Sequence, residues 1–143
     1  MAASGALTVT TGDLVKPNGL AFSPDEHLLY IADSGASHDP SGPHHIVAYT
    51  VGSNGRLGDH HVVAEVEPGI PDGFRIDVEG NIWTSARDGV HCYSAEGELL
   101  GRIRVPEIVA NVCFGGPHKS RLFIAATTSL YAIFLGVRGE GSP

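Results

Sequence analysis

One pattern recurs three times along the chain, and it leaves few folds open. A polar residue at a turn leads into a short apolar strand at Asn18-Gly-Leu-Ala-Phe, at Asp72-Gly-Phe-Arg-Ile and at Asn111-Val-Cys-Phe-Gly. A polar turn and a second strand follow each time, over 28–32, 81–85 and 121–125, and then a third strand over 45–51, 89–93 and 129–134. The first two units add a fourth strand, 61–65 and 99–105. The intervening turns carry Ser23-Pro24-Asp25, Asn54-Gly55, Glu79-Gly80-Asn81 and Glu96-Gly97, the residues that tight turns demand. No segment of helical period and useful length remains.

Four-stranded antiparallel units repeated roughly every 40 to 55 residues are the signature of a β-propeller. A flat sandwich would alternate apolar and polar residues along each strand. Leu20-Ala-Phe and Leu28-Leu-Tyr-Ile-Ala are instead nearly continuous, as suits a sheet covered on both faces. The expected architecture is all-β in one domain spanning residues 1–143: an N-terminal strand 5–10, blades 18–66, 72–105 and 111–135, and a polar tail 136–143. With its N-terminal strand the chain has three four-stranded blades' worth of strands, fewer than the four a propeller usually needs to close. Half of a six-bladed propeller is expected, completed by a homodimer in which each N-terminal strand finishes the other copy's last blade. Trp83, in the second strand of the middle blade, should be substantially buried.

Composition narrows the partners. The formal charge of −7 and a pI near 5.5 disfavour nucleic acid and acidic membrane surfaces and suit a cation or a neutral small molecule. No segment approaches the roughly 20 apolar residues of a membrane span, and Met-Ala-Ala-Ser-Gly-Ala lacks the regions of a signal peptide, so a cytoplasmic protein is expected. Cys92 and Cys113 sit in apolar strand patterns rather than in a ligand spacing and read as buried free thiols. His44-His45 and His60-His61 are adjacent pairs whose side chains point to opposite faces of a strand, and His91 reads as an interior histidine.

Lys16-Pro-Asn-Gly-Leu-Ala-Phe-Ser-Pro-Asp, Leu29-Tyr-Ile-Ala-Asp-Ser, Pro71-Asp-Gly, Gly80-Asn-Ile-Trp and Phe114-Gly-Gly resemble the gluconolactonase/regucalcin (senescence marker protein) family. The resemblance runs from about residue 7 to residue 135 and matches the C-terminal half of that family's six-bladed propeller. It lacks the family's N-terminal blades and the metal-binding Glu they carry.

Asn18 and Asp72 stand at the mouths of innermost strands, where turn formation alone would explain them. Their oxygens are also hard ligands suited to Ca²⁺, and tolerated by Mg²⁺, Mn²⁺ or Zn²⁺. The resemblance implies that Asn18 binds the metal and that Asp72 both binds it and transfers protons. The implied activity is metal-dependent hydrolysis of a sugar-type lactone, with Asp72 as base. The other reading is a non-catalytic half-propeller that serves as a binding module. Asn111, third in the series, and His38 and Arg87 on loops at the same end are expected to contact the substrate. Asp39, on the same loop as His38, is expected to contact the substrate with it, and Thr127-Thr128 share that rim.

Overall fold

The computed structural model describes residues 5–141; residues 1–4, and the last two of the predicted tail, lie outside it. Eleven strands are seen among the described residues, in three antiparallel sheets. The first runs β1 (Pro17–Phe22), β2 (Leu28–Asp33), β3 (His45–Val51) and β4 (Leu57–Glu65), each paired with its predecessor. The second runs β5 (Phe74–Ile76), β6 (Ile82–Ala86), β7 (Gly89–Tyr93) and β8 (Leu99–Arg104). The third holds only β9 (Val109–Gly115), β10 (Arg121–Ala126) and β11 (Leu130–Phe134). One turn of 3-10 helix, Gly35–Ser37, lies between β2 and β3. No helix among the described residues is long and apolar enough to cross a membrane. This is the meander of consecutive propeller blades.

The core lies between the sheets. Tyr30, Ile46 and Ala48 of the first blade pack on Phe74, Ile82 and Tyr93 of the second. Val90 and Val105 of the second pack on Val109, Val112, Leu122 and Ile124 of the third. The middle blade is thus covered on both faces, which is why β7 is buried along its whole length.

The two outer faces differ. Ile31, Val47 and Tyr49 on the free face of the first blade are backed by Leu14, from the segment leading into β1. The free face of the third blade exposes Leu130, Phe134 and Cys113, with the Arg121 guanidinium lying over the Phe123 and Phe134 rings at 5.0 and 5.3 Å. Cys113 is therefore exposed, contrary to the sequence expectation, because no further sheet among the described residues covers that face of the third blade. Cys92 is buried as expected, and burial, with Asp77 nearby, pushes its thiol up to about 12.

Other expectations need amending. Residues 5–10 form no strand in the single chain, and Leu7 and Val9 are exposed; an isolated strand has no ladder to satisfy its amides. The third sheet accordingly has three strands. The tail is no loose end. Val78 N donates to Arg138 O, Gly139 N to Lys119 O and Glu140 N to Ile76 O, at 2.9, 3.0 and 2.9 Å, stitching it to the second and third blades. Trp83 is half-buried, its Nε1 donating to Asp77 Oδ2 at 2.8 Å and its ring edge-on to Phe114. His91 is fully buried, with Nε2 2.7 Å from Asp88 Oδ1 and Nδ1 3.3 Å from the Tyr93 hydroxyl.

Candidate active-site cleft

The innermost strands meet at the end of the blades where they begin. Gly19 N donates to Asp72 O at 3.0 Å, and Gly73 N donates to Ala110 O at 2.8 Å. Both seams need glycine. A Cβ on Gly19 would sit 2.3 Å from Asp72 O, and one on Gly73 would sit 2.1 Å from Asn111 Oδ1. The cross-strand register agrees: Leu20, Phe74 and Val112 oppose Ile31, Thr84 and Ile124. Asn18 and Asp72 are therefore equivalent, but their counterpart in the third blade is Ala110, and Asn111 occupies the glycine position. The sequence series placed Asn111 one residue out, because it matched the polar residue opening each strand and not the apolar positions Leu20, Phe74 and Val112 that pair with the second strand.

Two buried hydroxyls hold the first two positions. The Ser34 hydroxyl donates to Pro71 O at 2.5 Å and accepts from Asn18 Nδ2 at 3.4 Å, so the amide nitrogen of Asn18 is engaged and its Oδ1 is left over. Ser85 Oγ accepts from Asp72 N at 2.9 Å. Sequence reasoning missed both serines; Ser34 stands just past the end of β2 and Ser85 within β6, so no shared spacing marks them. Asp33, also buried there, is committed to structure, its two oxygens accepting from Val15 N and Lys16 N at 2.8 Å each.

The Asp72 carboxylate has no hydrogen-bond or ion-pair partner among the described residues. It lines a cleft of about 250 Å³ together with Ile70, Ala86, Arg87, Ile108 and Val109. Of the residues singled out in the sequence, this cleft brings together Asp72 and Arg87. Asn18 adjoins it through Gly19. Asn111 lies along the inner strand against Gly73, its Oδ1 accepting from Val112 N at 2.9 Å. His38 is exposed at the end of the 3-10 turn and does not line the cleft, and the Asp39 carboxylate accepts from Ser41 N and Oγ within its own loop.

The wall carrying Ile108 is clipped in place. Glu107 Oε2 accepts from Thr128 N at 2.7 Å and Thr128 Oγ1 at 3.0 Å, and its Oε1 accepts from the Tyr131 hydroxyl at 2.6 Å. A hydrogen bond from the Ser129 side chain, and then those from Tyr131 and Thr128, hold the Glu107 carboxyl down at about 2. Thr127 Oγ1 donates to Ile108 O at 3.3 Å. The rim threonines thus fix the cleft wall.

Among the described residues no group of three or more His, Cys, Asp or Glu side chains is placed to hold a metal. Asn18 Oδ1 and the Asp72 carboxylate are the right kind of oxygen donor for a hard divalent ion, from neighbouring blades, but they are two of the six to eight that Ca²⁺ takes. The donor chemistry fits such an ion, of whose shell these two oxygens would be a part.

The chain matches the description SMP-30/gluconolactonase/LRE-like region over residues 1–128. It is 33% identical over 139 residues to a gluconolactonase of Zymomonas mobilis, covering 90% of this chain and 37% of that protein. It superposes with a TM-score of 0.86 and 38% identity on the X-ray structure of a protein described within the gluconolactonase family, covering 99% of this chain and 46% of the other. A regucalcin of Agrobacterium tumefaciens, described as calcium-binding, shares the fold at a TM-score of 0.77 and 24% identity, over 98% of this chain and 52% of that one. The chain thus spans about half the length of these relatives or less, and it belongs to the SMP-30/gluconolactonase/LRE-like family.

Proposed function

We propose that this chain carries part of the active site of a metal-dependent lactone hydrolase acting on sugar-type lactones. The observation that carries the reading is the unpartnered Asp72 carboxylate in a preformed cleft, beside the free Oδ1 of Asn18, in a member of this family. Asn18 and Asp72 would hold a divalent ion, Ca²⁺ by donor type, which supplies charge to a lactone carbonyl. Asp72 accepts the proton of the attacking water, and Ser34 and Ser85 keep the two donors in place. Asn111 and His38 are proposed as outer substrate contacts.

The bare apolar face of the third blade supports a second part to this reading, in which a second copy covers it and completes a six-bladed ring. Residues 5–10 of each copy then pair with the β11 edge of the other. In that assembly Cys113 is shielded, whereas a lone chain offers it to a thiol reagent. Solution mass, with and without residues 1–11, together with Cys113 labelling, decides the point; a soluble monomer with a reactive Cys113 at micromolar concentration overturns it.

Hydrolysis of glucono-lactone and related lactones is measured with Ca²⁺, Zn²⁺ or Mn²⁺ for the chain and for Asp72→Ala. The expected result is metal-stimulated hydrolysis that falls by at least a hundredfold in the variant. Activity unchanged by the substitution leaves the chain as a non-catalytic binding module.

A further inference from the structure

We propose that Arg87 and Ile108 form a specificity subsite beside Asp72, which selects sugar-type lactones whose ring carries a carboxylate beside an apolar C–H edge. The inference rests on the reading of the Asp72 cleft as the substrate site, and it names the substrate class within it.

In a chain with 16 acidic and 9 basic residues, Arg87 is the one basic residue among those described that lines the Asp72 cleft. Its neighbour Asp88 would be its natural partner, but Asp88 is fully used. Oδ1 of Asp88 faces His91 Nε2 at 2.7 Å, and its Oδ2 accepts from Arg104 at 2.5 Å. Asp72 lines the same cleft and forms no ion pair with Arg87. Among the described residues the Arg87 guanidinium therefore has neither a hydrogen bond nor an ion pair. Its backbone, by contrast, is fixed: Arg87 N donates to Pro68 O at 3.0 Å, and Gly69, at φ +106°, packs so closely that a Cβ there would lie 2.7 Å from that nitrogen. The side chain is exposed at the cleft mouth, and a cation on a fixed backbone with all its donors free suits a planar anion, which a guanidinium binds through paired hydrogen bonds.

The remaining walls define the rest of the ligand. Ile70, Ala86, Ile108 and Val109 are apolar, and Ile108 is 54% exposed although the Glu107 clip holds its backbone. A polyol arm lying here would lose water and find hydrogen-bonding side chains only at Asp72 and Arg87. A lactone that turns a C–H edge to this wall and its hydroxyls to solvent, and whose ring carries a carboxylate, satisfies both surfaces, with the anion on Arg87 and the ring carbonyl toward Asp72.

The test uses the full chain and two lactam isosteres that do not hydrolyse, pyroglutamate with its carboxylate and 2-pyrrolidinone without it, titrated by NMR at pH 7. Pyroglutamate is expected to shift the Arg87 and Ile108 amides and to bind at least tenfold more tightly than 2-pyrrolidinone. Arg87→Gln should abolish that preference without changing 2-pyrrolidinone binding, and Arg87→Lys should restore part of it. Ile108→Ser should weaken both probes. Equal binding of the two probes, or a preference untouched by Arg87→Gln, overturns the subsite. Hydrolysis unaffected by Asp72→Ala while the Arg87-dependent preference persists overturns the hydrolase reading alone, so the two failures are distinguishable.

Discussion

The seam between the first and second blades and the free edge of the third present the same strand position in two states. At the seam, Gly19 lets the Asp72 carbonyl come within hydrogen-bonding distance; at the free edge, the equivalent position is Asn111, whose side chain lies over Gly73 of the preceding blade. A blade therefore needs glycine only where the next blade's backbone closes on it. The corollary is that whatever covers the third blade cannot approach Asn111 as the second blade approaches Gly19. A second copy closing the ring must use a looser inner seam there, with its apolar contacts farther out on Phe123, Leu130 and Phe134.

The largest effect expected from breaking this comparison is at Gly19. Gly19→Ala places a methyl 2.3 Å from a backbone oxygen that cannot swing away, so a loss of roughly 3 kcal/mol is expected in a denaturant midpoint. Gly73→Ala meets the movable end of Asn111 and should cost less, about 1 to 2 kcal/mol. Adding Asn111→Gly should recover much of that loss, a coupling that a double-mutant cycle reads directly. Asn111→Ala alone removes one hydrogen bond to Val112 N and should cost about 1 kcal/mol. If Gly19→Ala proves as mild as Asn111→Ala, the close-approach account of the seam is wrong.

Acid separates the two seams at different pH values. His91 lies in the first, where Tyr93 also reaches across to Glu65 O at 2.9 Å. Burial lowers the proton affinity of His91 below its ordinary 6.5, although Asp88 pulls the other way. The unfolded chain then binds the extra proton first, so stability should fall as pH drops below 6.5, and His91→Gln should flatten that slope. The Glu107 clip beside the second seam behaves otherwise. With its carboxyl held at about 2 against an ordinary 4.5, its contribution is complete above 4.5 and is lost as pH falls toward 2. Protection of the Thr128 amide, taken as its exchange relative to the intrinsic rate at each pH, should therefore hold at pH 5 and fall only near pH 3, the smallest and most local of these effects. Protection already lost at pH 5 would remove Glu107 as the clip.

The sequence alone determined the strands and their grouping into blades, because apolar runs and turn residues are local signals. β3 and β7 were legible to the residue, and the ends of β2, β6 and β10 within one. It also placed Asn18 and Asp72 at neighbouring strand mouths, since Pro-Asn-Gly and Pro-Asp-Gly mark a turn before a strand. Only the tertiary structure decided which polar residues share a cleft. Arg87 joins Asp72 because the β6–β7 turn folds against Gly69, and His38 does not because its loop turns outward through the 3-10 segment. It alone decided that Ala110, not Asn111, matches Asp72, and that the tail returns beneath the second blade. Bulges, close glycine contacts and backbone stitches join residues distant in sequence, and a pattern of period two carries no record of them.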